Sequence, residues 1–286
     1  MRLPVVCFVA SFLACASLPA AAQKAPPNPN VLPAARLAPR FLDDRKEMAT
    51  YLSVLPEGAY RIYEVQGLGR FYLDEIDDII KNYLRSGRAW EYGFVPYMLK
   101  HARPGSTAID AGAHIGTHSL TLSRAVGPEG RVYAFEPQKK IYRELTWNLK
   151  LNRVTNVVPL RFALGDKPGV VRMDKADHGN EGATHIGAGG DRAELRTLDE
   201  FSFQNVSFIK IDVETYEDPV LNGARKTIAR HRPAILIEIQ GGEKHETTSP
   251  AIRAKIDATK KKLTDMGYRL ERLGPWDYFA LPEPRN

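Results

Sequence analysis

The sequence predicts an α/β fold in which a doubly wound, Rossmann-like, mostly parallel sheet carries helices on both faces. Three observations predict it: apolar segments alternate with helical segments from residue 106 onward, a glycine turn follows the first apolar segment, and acidic residues end most of the others. The apolar segments show little polar alternation, as expected for strands buried on both faces. Regular alternation of strand and helix favours parallel strands joined by right-handed crossovers.

The predicted elements follow one another in a regular order. Strands rich in Val, Ile, Leu or Phe are predicted at 106–111, 131–136, 156–162, 207–213 and 234–239. Helices are predicted at 117–126, 138–151, 219–231 and about 250–266. Two short segments joined through Gly274 and Pro275 then predict a C-terminal hairpin, with one strand antiparallel to the sheet.

The first hundred residues are expected to lie outside the ligand-binding domain, which is assigned to residues 101–286. Residues 1–22 are typical of a signal peptide, with Arg2, an apolar stretch and small residues before Gln23. A misplaced start codon and lipidation at Cys15 are the alternatives. Residues 23–40 predict a proline-rich linker and residues 41–100 a helical extension. The protein is expected to be exported if the signal is used, and cytoplasmic otherwise.

The composition excludes several kinds of chemistry. Cys7 and Cys15 are the only cysteines, so a chain that has lost its leader has no disulfide, thiolate metal site or cysteine nucleophile. The net charge of +6 is modest, and the one tight basic run, 260–262, lies in a predicted helix near acidic residues. A solvated helix face is therefore favoured over a nucleic-acid partner. No spacing of His, Asp and Glu resembles a closed metal site. The oligomeric state is not indicated.

Residues 108–116 form the first candidate binding motif. An apolar strand ends in Asp110, turns through Gly112 and Gly116 and enters a helix, and the next strand ends in Glu136. A glycine turn lets the backbone approach a nucleotide, and a carboxylate at the next strand tip can accept hydrogen bonds from ribose hydroxyls. The alternative is an ordinary strand-turn-helix connection that binds nothing, which Glu136 in register argues against.

The spacing of the motif distinguishes between nucleotides. A dinucleotide site has the pattern G-x-G-x-x-G, whereas this chain has D-x-G-x-x-x-G. Asp110 replaces the first glycine, and its carboxylate would repel a pyrophosphate but attract the cationic amino-acid end of S-adenosylmethionine. S-adenosylmethionine is therefore the expected cofactor, and a nicotinamide-dependent oxidoreductase is disfavoured.

Acidic residues end four of the five predicted strands. They are Asp110, Glu136, Asp212 with Glu214, and Glu238. Ligands of open α/β sheets lie outside the carboxyl ends of the strands, so these side chains are expected to share one rim. A helix cap or a salt bridge explains one such acid, but four together favour a site. Asp212, Glu214 and Glu238 could hold Mg²⁺ or Ca²⁺ through oxygen ligands, although a divalent cation is not expected.

A polar loop at 178–186 lies between the third and fourth predicted strands. One interpretation is a substrate lid that supplies His185 or Asn180, and the other is a plain surface loop. Two further histidines, His114 and His118, flank the glycine turn.

As a set, these motifs resemble the FkbM-type family of S-adenosylmethionine-dependent methyltransferases, over about residues 90–240. The segments that carry the resemblance are Ile109-Asp-Ala-Gly-Ala-His-Ile-Gly116, Gly127-Pro-Glu-Gly-Arg-Val-Tyr-Ala-Phe-Glu-Pro137, 148–152, 161–166, 197–199, Ile209-Lys-Ile-Asp-Val-Glu-Thr-Tyr-Glu217 and 232–238. The resemblance implies a class I methyltransferase fold, with a seven-stranded sheet and an antiparallel last hairpin. It also implies methyl transfer, usually to a hydroxyl of a sugar or small natural product, so a small-molecule or glycan acceptor is expected.

The resemblance also implies roles for individual residues. A hydroxyl acceptor needs a base, and Asp212 or Glu214 is expected to serve, as base or as orienting carboxylate, with Glu238 or His185 second. Replacing Asp212 by Asn is expected to abolish turnover while donor binding survives. The residues expected to contact the donor are Glu91, Asp110, Gly112, Ala113, His114, Gly116, Glu136, Pro137, Ala163 and Asp212. Among them, the glycine turn would line the methionine end, Glu136 the ribose and Ala163 the adenine.

Two departures from the family pattern bear on function. His114 stands where the family commonly has Asn, and Thr215 stands where it commonly has Gly. Glycine suits a tight turn, so Thr215 is expected to reshape the acceptor side. Together with the leader, Thr215 motivates an alternative function: an exported, non-catalytic binding or accessory domain with a methyltransferase fold.

Overall fold

A computed structural model describes residues 60–174, 179–187, 189–240 and 249–284. The predicted signal peptide, the proline-rich linker and the first part of the 41–100 extension lie outside these residues. Within the described ranges, no helix is both long and apolar enough to cross a membrane.

The strands and helices alternate along most of the chain. The strands are β1 (Tyr60–Val65), β2 (Gly69–Asp74), β3 (Thr107–Ala111), β4 (Arg131–Phe135), β5 (Val157–Leu160), β6 (Phe162–Leu164), β7 (Gly169–Met173), β8 (Ile186–Gly187), β9 (Arg192–Arg196), β10 (Val206–Ile211), β11 (Ala234–Glu238), β12 (Tyr268–Arg272) and β13 (Asp277–Pro282). The helices are α1 (Ile79–Arg85), α2 (Val95–His101), α3 (Thr117–Val126), α4 (Lys139–Leu151), α5 (Glu217–Gly223), α6 (Arg225–His231) and α7 (Pro250–Asp265). Short 3₁₀ turns cover Tyr92–Phe94 and Leu198–Phe201.

Seven of the described strands form the central sheet, in the order β12-β13-β11-β10-β3-β4-β5. Neighbours from β11 to β5 are parallel, whereas β13 is antiparallel to both β11 and β12. The predicted fold class and the antiparallel C-terminal hairpin are thus confirmed. The chain first builds the sheet outward from β3 to β5 and then returns to β10 on the other side. The carboxyl ends of β3 and β10 therefore border the switch point, where ligands of such sheets bind.

A smaller sheet was not predicted from the sequence. Among the described residues it has four strands in the order β6-β9-β7-β8. The single strand predicted at 156–162 is wrong in its second half, because the chain leaves the central sheet after Leu160 and resumes at Phe162 in the small sheet. Only β9, with the sequence Arg-Ala-Glu-Leu-Arg, alternates polar and apolar residues, which is a weak signal over five positions.

The prediction of a helical extension at 41–100 is wrong for its described first part. Residues 60–74 form an antiparallel hairpin in which Tyr60 pairs with Asp74 and Val65 with Gly69. Aromatic and β-branched residues at strand spacing favour this pairing, and Gly67 turns the chain at a φ of 70°. Helix α1 begins only at Ile79, where Asp78 caps its first turn.

The helix predicted at 219–231 is divided into α5 and α6. The break lies at Ala224, just after Gly223. A Cβ atom on Gly223 would lie 1.9 Å from the carbonyl oxygen of Gly165, so the helix end needs glycine to approach the small sheet.

Two apolar clusters cover the two faces of the central sheet. Ile109 and Ile211 belong to one cluster, and Ala108 and Phe208 to the other. The first cluster includes Phe201, which is fully buried and lies 5.2 Å from the Phe135 ring and 5.3 Å from the Phe203 ring, between centroids. This aromatic group packs the 3₁₀ turn against the sheet and thereby supports the strand ends.

We predict that Phe201→Ala lowers the free energy of unfolding by about 3–5 kcal/mol, because it leaves a cavity in a packed aromatic group. Chemical denaturation of purified protein measures the change. Val170→Ala is the control, since the Val170 side chain is 59% exposed. Equal effects of the two substitutions would contradict the placement of Phe201 in the core.

Candidate functional site

The glycine turn after β3 packs directly against the ends of β4 and β10. The amide groups of Gly112 and Ala113 donate hydrogen bonds to the Phe135 carbonyl at the end of β4, at 3.0 and 2.9 Å. Gly112 has a φ of 79°, and a Cβ atom there would lie 1.7 Å from the carbonyl oxygen of Asp212. Gly116, at a φ of 97°, is the N-cap residue directly before α3. Only glycine fits at Gly112, because the end of β10 occupies the space of a side chain.

Glu136 lies beside this turn, directly after β4. Its carboxylate accepts hydrogen bonds from the backbone amides of His114 at 3.1 Å and Gln138 at 2.9 Å. The side chain is buried, and burial raises the pKa of Glu136 to about 7. The remaining acceptor capacity of the carboxylate suits hydroxyl donors from a ligand.

A cleft opens between the turn and the small sheet. Six of the residues expected to contact the donor or the acceptor line it: Gly112, Glu136, Pro137, Ala163, Asp212 and Glu214. Residues 179–186, here called the capping loop, close another side through Gly182, Thr184 and Ile186.

A buried lysine organises the acids at the switch point. The Lys210 ammonium, on β10, lies 2.9 Å from Asp212 Oδ2, 3.7 Å from Asp110 Oδ1 and 2.7 Å from the Gly112 carbonyl oxygen. Asp110 is fully buried and accepts a hydrogen bond from Ser119 Oγ. Burial opposes ionisation of Asp212, but Lys210 and the hydrogen bond with Glu238 hold its pKa below the ordinary value.

Three predicted catalytic acids meet at the end of the cleft. Asp212, Glu214 and Glu238 each place a carboxylate oxygen within 4.8 Å of the others. Burial and the Asp212 charge raise the pKa of Glu214 to about 7 and that of Glu238 to about 11. Glu238 therefore holds a proton at neutral pH and Asp212 does not, as in other close carboxyl pairs. The Gln240 amide donates to Glu214 at 2.5 Å and to Glu238 at 3.4 Å.

Three residues border the glycine turn on its other side. Glu91, in a left-handed conformation at a φ of 50°, lies 3.5 Å from His118 Nε2. Burial and the Asp212 charge raise the pKa of Glu91 to about 7. Burial lowers the pKa of His114 to about 4 and that of His118 to about 3, so both imidazoles are neutral. Within the described parts of the chain, neither His114 ring nitrogen has a hydrogen-bond partner.

The structure places neither predicted residue of the capping loop in the lining of the cleft. His185 Nδ1 lies 3.1 Å from the Glu214 carbonyl oxygen, so it contacts the backbone of the turn that carries Glu214. Asn180 accepts a hydrogen bond from the Ala183 amide within the loop. Neither residue is among those that line the cleft.

Sequence reasoning missed Lys210, Glu217 and Asp277. Lysine is rarely buried without a partner, so a lone lysine within the apolar segment 206–211 was an available signal for Lys210. Glu217 accepts the Thr215 amide at 2.9 Å, and burial raises its pKa to about 8. Asp277 begins β13, where burial and the Asp212 charge raise its pKa to about 6. Asp277 lies at this rim because β13 is antiparallel to β11, and no local sequence pattern predicts that position.

The arrangement fits the methyl donor. The glycine turn leaves backbone exposed to a ligand, and Glu136 offers acceptors for ribose hydroxyls. Asp212, whose pKa stays below the ordinary value, provides negative charge for a cationic amino-acid end, whereas burial raises the pKa of Asp110. Asp110 Oδ1 has no hydrogen-bond partner among the described residues, which is consistent with a polar group arriving there.

Comparison with known proteins gives the same family as the motifs. The family model of the methyltransferase FkbM domain matches residues 110–270. The solved structure of methyltransferase FkbM from Methylobacillus flagellatus KT is 18% identical, with a TM-score of 0.45, over 70% of this chain and 52% of that one. Fibrillarin from Aeropyrum pernix, solved with natively bound S-adenosyl-L-methionine, is 17% identical, with a TM-score of 0.43, over 80% of this chain and 85% of that one.

A curated relative matches over a short segment. The tRNA (adenine(58)-N(1))-methyltransferase catalytic subunit of Yarrowia lipolytica is 35% identical over 57 residues. That segment is 20% of this chain and 15% of the relative, so this chain spans a small part of that protein's length.

The turn after β10 carries Thr215 where the family commonly has glycine. Glu214 and Thr215 both have left-handed backbone conformations, with φ of 52° and 69°. A β-branched residue is strained there, because its Cβ crowds the backbone. The strain lies next to Glu214, one of the two predicted bases.

We predict that Thr215→Gly raises the free energy of unfolding by about 1 kcal/mol, because glycine adopts this conformation without the strain. Thermal and chemical unfolding measure this change in the free energy of unfolding. Thr155→Gly is the matched control, since Thr155 is exposed and is not among the described residues with positive φ; there glycine should destabilise. A loss of stability at both positions would contradict strain at Thr215.

Proposed function

The chain belongs to the FkbM methyltransferase family, and we propose that it moves the methyl group of S-adenosylmethionine to a hydroxyl oxygen of a sugar or another small natural product. The observation that carries the proposal is the acid cluster at the end of the donor cleft, in which Glu214 has a pKa of about 7. A base with a pKa near the working pH is suited to take a hydroxyl proton.

S-adenosylmethionine, when bound, supplies a sulfonium methyl group that is already highly reactive. The residues of this chain then have two tasks, which are to hold donor and acceptor in line and to accept a proton. A new O–CH₃ bond forms as the C–S bond breaks, and the acceptor proton passes to a carboxylate. Glu214 fits this task better than Asp212, because Lys210 keeps Asp212 a weak base. Asp212 then orients the acceptor, and its charge keeps the pKa of Glu214 high.

The acid rim also favours the proposed class of acceptor. Carboxylates accept hydrogen bonds from hydroxyl groups, whereas several acids together repel anionic molecules. A neutral acceptor rich in hydroxyls, such as a sugar or glycan, suits the rim best.

The same acids do not need a divalent cation in this proposal. Lys210 already forms an ion pair with Asp212, the Gln240 amide donates a hydrogen bond to Glu214, and Glu238 holds a proton. A cation would have to displace these partners before it found free oxygen ligands. Assays are therefore run both with EDTA and with Mg²⁺.

A second candidate is the exported, non-catalytic binding domain. The strained Thr215 beside Glu214 favours it, because the acceptor side departs from the family at this point. Donor binding without turnover on a broad panel of hydroxylated acceptors would support it. A reporter fused after residue 40 would test whether the leader directs export.

We predict that Glu214→Gln lowers kcat about 100-fold or more, because the amide cannot accept the proton, while the Kd for S-adenosylmethionine stays within a factor of about three. Release of S-adenosylhomocysteine across an acceptor panel measures turnover, and calorimetry measures the Kd. Glu129→Gln, an exposed residue in the turn after α3, is the matched control.

Asp212→Asn separates the two candidate bases. If Glu214 is the base, removing the Asp212 charge moves the acid limb of the rate profile from about 7 to lower pH. If Asp212 is the base, turnover disappears without such a shift. A variant that matches wild type in rate, pH profile and donor affinity would leave Asp212 no role.

We predict that donor affinity rises as pH increases through about 7, the pKa of Glu136 in the free protein. The Glu136 carboxyl group must lose its proton before both of its oxygens can accept hydrogen bonds from hydroxyl groups. The affinity for the donor is therefore higher above this pH. Glu136→Gln should weaken binding about tenfold or more above it and remove this part of the pH dependence. Calorimetry at several pH values measures both effects, and an unchanged profile in the variant would contradict the role of Glu136.

A further inference from the structure

A buried ion cluster outside the cleft joins the N-terminal hairpin and α1 to the capping loop. The Lys81 ammonium, on α1, is fully buried and lies 2.8 Å from Asp74, 3.0 Å from Glu144 and 2.6 Å from Glu181. These partners come from β2, α4 and the capping loop. Lys140 joins the cluster at 2.7 Å from Asp74 and 2.5 Å from Glu181.

Lys81 links the three carboxylates of the cluster. Asp74, Glu144 and Glu181 place carboxylate oxygens within 4.8 Å of one another, as ligands of a metal ion would. The Lys81 ammonium takes the place of such an ion and binds all three. Because buried carboxylates without a partner are strongly unfavourable, these four residues hold their elements together as a unit.

Asp78 provides a second link to the same loop. Its Oδ1 accepts the Lys81 amide at 2.8 Å and so caps α1, and its Oδ2 accepts the Glu181 amide at 2.7 Å. The Ile79 amide also donates to the Gly179 carbonyl at 3.0 Å. Asp78 is fully buried, so both hydrogen bonds are shielded from water.

The loop held in this way forms one side of the donor cleft. Gly182 and Thr184, which line the cleft, lie one and three positions after Glu181. The Glu181 carbonyl accepts hydrogen bonds from Thr184 Oγ1 at 3.0 Å and Gln138 Nε2 at 3.2 Å. Neither Asp78 nor Lys81 lines the cleft. Their influence on a ligand must therefore pass through the loop.

We propose that Asp78 and Lys81 are positioning residues, and that residues 60–86 form a clasp that holds the capping loop over the donor cleft. The consequence for the donor rests on the proposed function of the cleft. Loss of the clasp leaves the acids at the switch point intact but lets the loop leave its bound position. The donor then has to order the loop when it binds, which weakens affinity and raises the KM for the donor while kcat at saturating donor is retained.

Asp78→Asn tests the clasp with little risk to folding. Asparagine caps a helix as well as aspartate does, so α1 is retained, but its amide nitrogen cannot accept the Glu181 amide. The matched control is Asp77→Asn, which makes the same change at the preceding, exposed residue. For Asp78→Asn we expect the Kd for S-adenosylmethionine to rise about five- to tenfold, with kcat within a factor of about two of wild type. A Kd equal to that of Asp77→Asn, or a fall in kcat with unchanged KM, would overturn the proposal.

Hydrogen exchange in the ligand-free protein separates this proposal from the proposed function. Amides of residues 179–187 should exchange faster in Asp78→Asn than in Asp77→Asn or wild type, while amides of β3 and β10 stay protected. Equal exchange in all three proteins would overturn the clasp even if the donor binds. If wild type binds no S-adenosylmethionine, the proposed function fails, and faster exchange still supports the clasp.

Discussion

The Lys210 ammonium is the charge on which the rim of the central sheet depends. Asp110, Glu136, Asp212 and Glu238 all lie at strand ends that meet there, and buried like charges cannot all be ionised. By contacting Asp212, Asp110 and the Gly112 carbonyl, one buried cation lets Asp212 stay ionised while Glu238 keeps a proton. The resulting order of pKa values distinguishes an orienting carboxylate from a candidate base.

Topology brings these groups together, and local chemistry gives them different tasks. The switch point places the ends of β3 and β10 side by side, and glycine at 112 lets them touch. Negative charge at the turn suits the cationic end of the methyl donor, and Glu136 suits its ribose. The same closeness that forms the donor side makes Asp212 raise the pKa of Glu214 on the acceptor side. The proposed donor and acceptor sites are thus electrostatically coupled through one aspartate.

The sequence predicted those features whose signals are local. Apolar strands buried on both faces, the glycine turn and the C-terminal hairpin each follow from residues close in the chain. The smaller sheet was not predicted, because its strands have only two to five residues. The ion cluster around Lys81 was not predicted, because Lys81 and Glu181 lie 100 positions apart and no local sequence pattern indicates such a contact. The sequence contains Lys210 as a lone charge in an apolar strand, but only the structure shows that it contacts Asp110 and Asp212.

Calorimetric titration of wild-type protein with S-adenosylmethionine, S-adenosylhomocysteine and NAD tests whether the acid-lined glycine turn is a methyl-donor site. We expect saturable binding of the first two ligands and none of NAD, because the acidic rim around Asp212 attracts a cationic amino-acid end and repels a pyrophosphate. Binding of NAD, or binding of none of the three, would contradict it.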